Sequence, residues 1–131
     1  MSDLGPPGRA TVLVCITCSA AADPKDAPRA GRALAVATAV AAANSSSISV
    51  QQIRCLGNCS RGLSAAIRCD NAWTYIFGGL DAARDGIPLI EGARLLAQAH
   101  DGIMPWRGRP EPLKKGLIAR VPPLHFREES L

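Results

Sequence analysis

Five cysteines carry the chemistry of this sequence. Four of them fall into two spaced pairs, Cys15-Ile-Thr-Cys18 and Cys55-Leu-Gly-Asn-Cys59. A two-residue or three-residue gap lets both sulfurs reach one metal, so either pair suits a Zn or Fe site. The first pair alone also reads as a thiol–disulfide exchange motif when it lies near a βαβ unit. Four thiolates together would hold a [2Fe–2S] cluster. Attachment of a c-type haem is excluded, because Ser19 stands where a His would be needed.

The elements that must position these residues follow from the hydrophobic pattern. Thr11–Cys15 is a continuous β-branched and apolar run, which suits a central strand. Residues 16–28 contain Pro24 and Pro28 and read as a loop. Arg29 to Ala43 reads as a helix on the spacing of Ala33, Leu34, Ala37, Val40 and Ala41, with Pro28 in or before its first turn and Asn44 at its end. Ile48–Ile53 is a second strand. Ser64–Cys69 and Trp73–Phe77 are two more, joined by the polar turn Asp70-Asn71-Ala72 as a hairpin. A final helix runs from about Pro88 to His100.

A strand–helix–strand unit is parallel with a right-handed crossover, so its two strands end at one edge of the sheet. Cys15 closes the first strand and Cys55 follows the second. The topology therefore brings both pairs together. Gly57 allows a tight turn that presents backbone amides to sulfur. Arg54, Arg61 and Arg68 flank the second pair with the sign that would offset a cluster's negative charge and raise its potential. The expected fold is α/β and thioredoxin-like: a mixed four-stranded sheet in the order β-α-β-β-β-α. Residues 1–10 are a flexible lead-in and 11–102 the domain. Residues 103–131 form a Pro/Arg-rich extended tail that wraps it, anchored by Trp106 and Leu117–Ile118.

Size and composition fit one soluble domain. The chain has 131 residues, 47% apolar, with aromatics at only 4%, so its core is built from small side chains. A net charge of +4 without a nucleic-acid motif argues against nucleic-acid binding. The apolar stretch at Ala33–Ala43 is too short to span a bilayer, and residues 1–10 lack a secretory h-region. A cytoplasmic location is expected, where clustered cysteines bind metal more often than they form disulfides.

The segment Cys55-Leu-Gly-Asn-Cys59-Ser-Arg-Gly62, the apolar strand after it and Asp70-Asn-Ala-Trp-Thr-Tyr75 resemble the cluster-binding half of thioredoxin-like [2Fe–2S] ferredoxins. The resemblance extends over residues 11–100. It implies a [2Fe–2S] cofactor on Cys15, Cys18, Cys55 and Cys59, although the ferredoxins usually separate their first two ligands by more residues. The whole chain, with Asp101-Gly-Ile-Met-Pro-Trp-Arg and Ala119-Arg-Val-Pro-Pro, looks still more like a family of uncharacterised bacterial proteins described as predicted metal-binding.

The reading that follows is a one-electron carrier docking a redox partner protein. Arg54 and Arg61 would serve tuning or docking, and homodimer formation is left open. The first alternative is a metal-binding or metal-delivery protein for Zn, Fe or cobalt on the same thiolates, since relatives of the uncharacterised family are associated with cobalt and cobalamin gene neighbourhoods. The second is a thiol–disulfide oxidoreductase using Cys15 and Cys18. Cys69 reads as a small buried thiol and as the substitute ligand should Cys18 not coordinate. His100 and His125 lack a paired Cys-His spacing. Asp81, Asp85, Glu91 and Asp101 show no acid–base pairing, so no independent catalytic activity is expected.

Overall fold

The computed structural model describes residues 9–18 and 29–131. Residues 1–8 of the expected lead-in, and the loop with Pro24 and Pro28, lie outside the described residues. Strands β1 (Ala10–Cys15) and β2 (Ile48–Ile53) flank helix α1 (Ala30–Ala41). Then come β3 (Ala65–Cys69), β4 (Thr74–Phe77), helix α2 (Gly86–Ala97), a short helix α3 (Pro112–Lys115) and β5 (Leu117–Val121). The sheet order is β2-β1-β3-β4-β5. β1 and β2 are parallel in register from Ala10 opposite Ile48 to Cys15 opposite Ile53, and the remaining pairings are antiparallel.

This is the thioredoxin-like arrangement that the element order implies, with one correction. The sheet has five strands, not four. The fifth comes from the segment expected to be only an extended tail. Leu117–Val121 forms a ladder along β4, with an irregularity between Ile76 and Phe77. Pro and Arg on both sides mask any alternation there, and the strand exists because β4 offers it an edge. Of the expected anchors, Leu117 packs against the core and Leu117–Ile118 open β5, but Trp106 does not serve as one. Trp106 is 61% exposed, whereas Met104 and Leu113 are buried. The backbone N–H of Met104 donates to Tyr75 Oη at 2.9 Å.

Both long helices pack against β1 and against each other. The sheet face they cover follows the period of two. Ala10, Val12 and Val14 of β1, Ala65 and Ile67 of β3, and Tyr75 and Phe77 of β4 are all buried. Across the ladders Val12 faces Ile67 and Ile67 faces Tyr75, so the core runs across the sheet in rows. α1 contributes Leu34 and Ala35 to this core, and α2 contributes Leu89, Ile90, Ala93 and Leu96. The β3–β4 hairpin turns at Asn71, whose φ of 62° a short polar side chain tolerates.

Candidate cysteine site

β1 and β2 end side by side, as parallel strands joined by one helix must. The backbone N–H of Ile16 donates to the Ile53 carbonyl at 3.0 Å, extending the ladder one residue past the end of β1. The first Cys pair therefore leaves the sheet beside the loop that holds the second. The Thr17 hydroxyl donates to the Arg54 carbonyl, and Cys15 Sγ lies 3.5 Å from that same carbonyl.

The first pair is internal. Cys15 is fully buried and Cys18 only 4% exposed, with Cys18 Sγ donating to Cys15 Sγ at 3.0 Å. The two thiols are unequal. Burial pushes Cys15 up, but hydrogen bonds from Cys18, Thr17 and the backbone amides of Thr17 and Leu56 outweigh it and hold the thiol below its ordinary value. Burial, the shared hydrogen bond and the charge on Cys15 push Cys18 up to about 11. The Arg54 carbonyl, next to Cys55, lies 3.5 Å from Cys15 Sγ, so the second cysteine loop begins beside the first pair.

The second pair is open to solvent. Cys55 Sγ and Cys59 Sγ stand 3.9 Å apart, and the Gly57 amide donates to Cys55 Sγ at 3.1 Å. Gly57 has φ +74°, the left-handed conformation that glycine adopts without penalty. The expected role of Gly57 is thus met. The Cys59 thiol is held above its ordinary value by its hydrogen bond to Cys55, then by charge on Cys55, with smaller contributions from desolvation and from Cys15.

Other residues fix this loop. Asn58 Nδ2 donates to Ser64 Oγ at 3.0 Å and to the Arg61 carbonyl at 3.3 Å. The Gly79 amide donates to the Arg61 carbonyl at 2.7 Å, and the Cys15 amide to the Ser64 carbonyl at 3.1 Å. Ser64 also lowers the Cys18 thiol through its hydroxyl and its amide. Gly31 touches the other side of the first pair, its amide donating to the Cys18 carbonyl at 3.0 Å. Sequence reading singled out none of Ser64, Asn58 and Gly31. Only Asn58, lying inside Cys-x3-Cys, carried a signal that could have drawn attention.

Cys69 is excluded as a substitute ligand. It pairs with Ala10 at the start of β1, five residues along β3 from the Ser64 that meets Cys15, or about 16 Å away. Partly buried rather than fully buried, it packs against the core. Arg68 likewise lies opposite Thr11, away from the cysteines, so only Arg54 and Arg61 of the three flanking arginines remain beside them. His100 lines a cavity with Tyr75 and Arg109, while His125 is exposed in the C-terminal segment. Among the described residues no three His, Cys, Asp or Glu side chains converge on one point able to hold a metal ion. The four thiols stand as two pairs. None of the described helices is long and apolar enough to cross a membrane.

A family model described as a protein of unknown function (DUF1636) matches residues 12–123. No curated protein matches the chain. Among solved structures, one described as a thioredoxin-like [2Fe–2S] ferredoxin from Aquifex aeolicus is 17% identical with a TM-score of 0.55, covering 90% of this chain and 98% of its own. A crystal structure of the wild-type thioredoxin-like [2Fe–2S] ferredoxin from Aquifex aeolicus is 15% identical with a TM-score of 0.56, covering 85% of this chain and 97% of its own. At these identities the likeness is one of fold.

Proposed function

The chain belongs to that DUF1636 family of unknown function, so its activity has to be argued from the cysteine site, and we propose that it is a small iron–sulfur protein acting as a one-electron carrier. One observation carries the reading. Two thiol pairs lie at one sheet edge, and the Arg54 carbonyl beside Cys55 stands 3.5 Å from Cys15 Sγ and accepts the Thr17 hydroxyl. The thioredoxin-like [2Fe–2S] ferredoxins that share the fold lend support.

The donor set fits the group. A binuclear cluster takes two thiolates on each iron, and the four sulfurs stand as two pairs. Two thiolates on one tetrahedral metal with bonds of about 2.3 Å lie about 3.8 Å apart. Cys55 and Cys59 have that spacing already. Cys15 and Cys18 would separate by less than 1 Å from their 3.0 Å hydrogen bond. In this reading Cys15, Cys18, Cys55 and Cys59 hold a [2Fe–2S] cluster, which would supply a one-electron couple. The Gly57 amide donates to sulfur and favours its reduced form, and Arg54 and Arg61 add positive charge beside it. The buried pair shields one side from water while the exposed pair faces a redox partner protein. No catalytic step is assigned to the chain.

Thiol–disulfide exchange on Cys15 and Cys18 is the second reading. The unequal thiols favour it, but both sulfurs are buried, which bars an in-line approach by a disulfide substrate. Delivery of a single zinc, iron or cobalt ion would instead require the four sulfurs to close onto one centre.

Anaerobic purification or reconstitution tests the proposal. A red-brown protein with equal iron and sulfide, whose visible bands bleach on reduction as an EPR signal appears, is the expected result. A colourless protein with one zinc per chain and no sulfide would overturn it, and metal-free protein showing only a dithiol titration would move the assignment to the second reading.

A further inference from the structure

A second polar constellation lies at the opposite edge of the sheet from β2. Arg109 is only 8% exposed. Its Nε donates to the Pro105 carbonyl at 3.2 Å, and its Nη2 donates to the Met104 carbonyl. The guanidinium lies 5.5 Å from the Tyr75 ring centre and 5.2 Å from that of Trp106. Among the described residues no carboxylate forms an ion pair with it. A buried cation without a counter-charge is costly to maintain.

Its neighbour adds to that cost instead of relieving it. Arg120 of β5, set over Trp73 at 4.2 Å, lines the same cavity of about 660 Å³. Ile103, Leu117, Tyr75 and Trp106 supply apolar and aromatic walls. The volume falls in the range of small-molecule sites. Asp101 also lies on the lining, with one carboxylate oxygen accepting the Ile103 amide at 3.0 Å, and no ion pair joins it to either arginine. Arg109 lines this cavity together with Arg120, so two guanidinium groups face it with no carboxylate of the described residues paired to either.

We infer that this cavity binds a small aromatic carboxylate, its carboxylate on the Arg109 and Arg120 guanidinium groups and its ring against Trp106, Ile103 and Leu117. A planar fork donor matches a carboxylate, and the apolar walls select for an organic body over an inorganic anion. The site is separate from the cysteines and does not depend on how they are read.

Titration of the full chain with benzoate, benzamide and inorganic phosphate tests this, with tryptophan fluorescence and the methyl NMR shifts of Ile103 and Leu117 as readouts. Benzoate is expected to saturate with shifts confined to those methyls, while benzamide and phosphate bind at least roughly tenfold more weakly, the scale of a charge-assisted hydrogen bond. Arg120→Gln, on an exposed strand surface, is expected to weaken benzoate roughly tenfold without altering thermal stability. Arg109→Lys, which keeps the charge and removes the fork, is expected to weaken benzoate to a similar degree while lowering stability through the lost bonds to the Pro105 and Met104 carbonyls. Benzamide or phosphate binding as tightly as benzoate, an Arg120→Gln variant with unchanged affinity, or no saturation at millimolar benzoate would each overturn the assignment.

Discussion

A Cβ on Gly31 would come within 2.1 Å of the Cys15 carbonyl oxygen, so α1 meets the end of β1 through backbone alone. The same Cβ would lie 3.2 Å from the Cys18 carbonyl oxygen. Helix and first cysteine pair are thereby locked into one unit. Gly31→Ala is expected to destabilise the fold by roughly 2–3 kcal/mol, because the clash is with main chain that has nowhere to move. Urea unfolding checks the loss. Iron content after reconstitution should fall as well.

The four thiols and Cys69 separate cleanly under substitution. Cys15→Ser, Cys55→Ser and Cys59→Ser are each expected to abolish or strongly reduce the visible absorption of the reconstituted protein. Cys18→Ser should do likewise, since the distant Cys69 cannot substitute for it. Cys69→Ser is expected to retain the full spectrum. A Cys18→Ser protein with undiminished iron and sulfide would require a fourth ligand from elsewhere.

Asn58 ties the second loop to Ser64 and to the Arg61 carbonyl. Asn58→Ala is expected to cost about 1–2 kcal/mol by leaving Ser64, fully buried, short of a partner. Chelator-driven loss of iron should be faster than in the parent, because the exposed pair is no longer braced. Stopped-flow absorbance would measure it.

How much of this was legible in the sequence differs by residue. The strand bounds at Ile48–Ile53 and the hairpin at Asp70–Ala72 could be read because turn chemistry and β-branched runs bracket them. The placement of Cys15 and Cys55 at one edge followed from the parallel pairing of the two strands that one helix joins. Three features were not legible. β5 lacks a periodic signal of its own and is defined by what β4 offers. Ser64 acts through a carbonyl and a hydroxyl that any surface serine also has. Cys69 shared an alternation with Ala65 and Ile67 that correctly gave its face, but alternation says nothing of position along the strand, and position is what removes it from the site.

Cys69 also provides a pH test. Burial and then the Asp70 charge raise its thiol above the ordinary value of 9.0. The folded chain thus holds this proton more tightly than the unfolded chain. The stability it contributes is fully present below about pH 9 and is lost as pH rises through the folded value. Alkylation of Cys69, followed by mass spectrometry of its peptide, should show a titration displaced upward. Asp70→Asn should move that titration back toward the ordinary value.

Tyr75 holds the segment after α2 by accepting the Met104 amide. Tyr75→Phe is expected to cost about 1–2 kcal/mol, leaving a buried N–H unpaired. Amide exchange at Leu117–Val121 should quicken with it if that segment and β5 move together.

The pairing of β5 along β4 has a colloidal consequence. A sheet that stopped at β4 would display an unpaired row of backbone groups on Thr74–Phe77, a short strand rich in aromatic and β-branched residues and well suited to recruiting further copies of itself. β5 occupies that row and leaves at the margin a strand containing Arg120, running directly into Pro122 and Pro123, which have no N–H to offer. Proteolytic nicking ahead of Leu117 would thus do more than loosen a terminus. It would uncover an adhesive edge, and turbidity should rise with protein concentration.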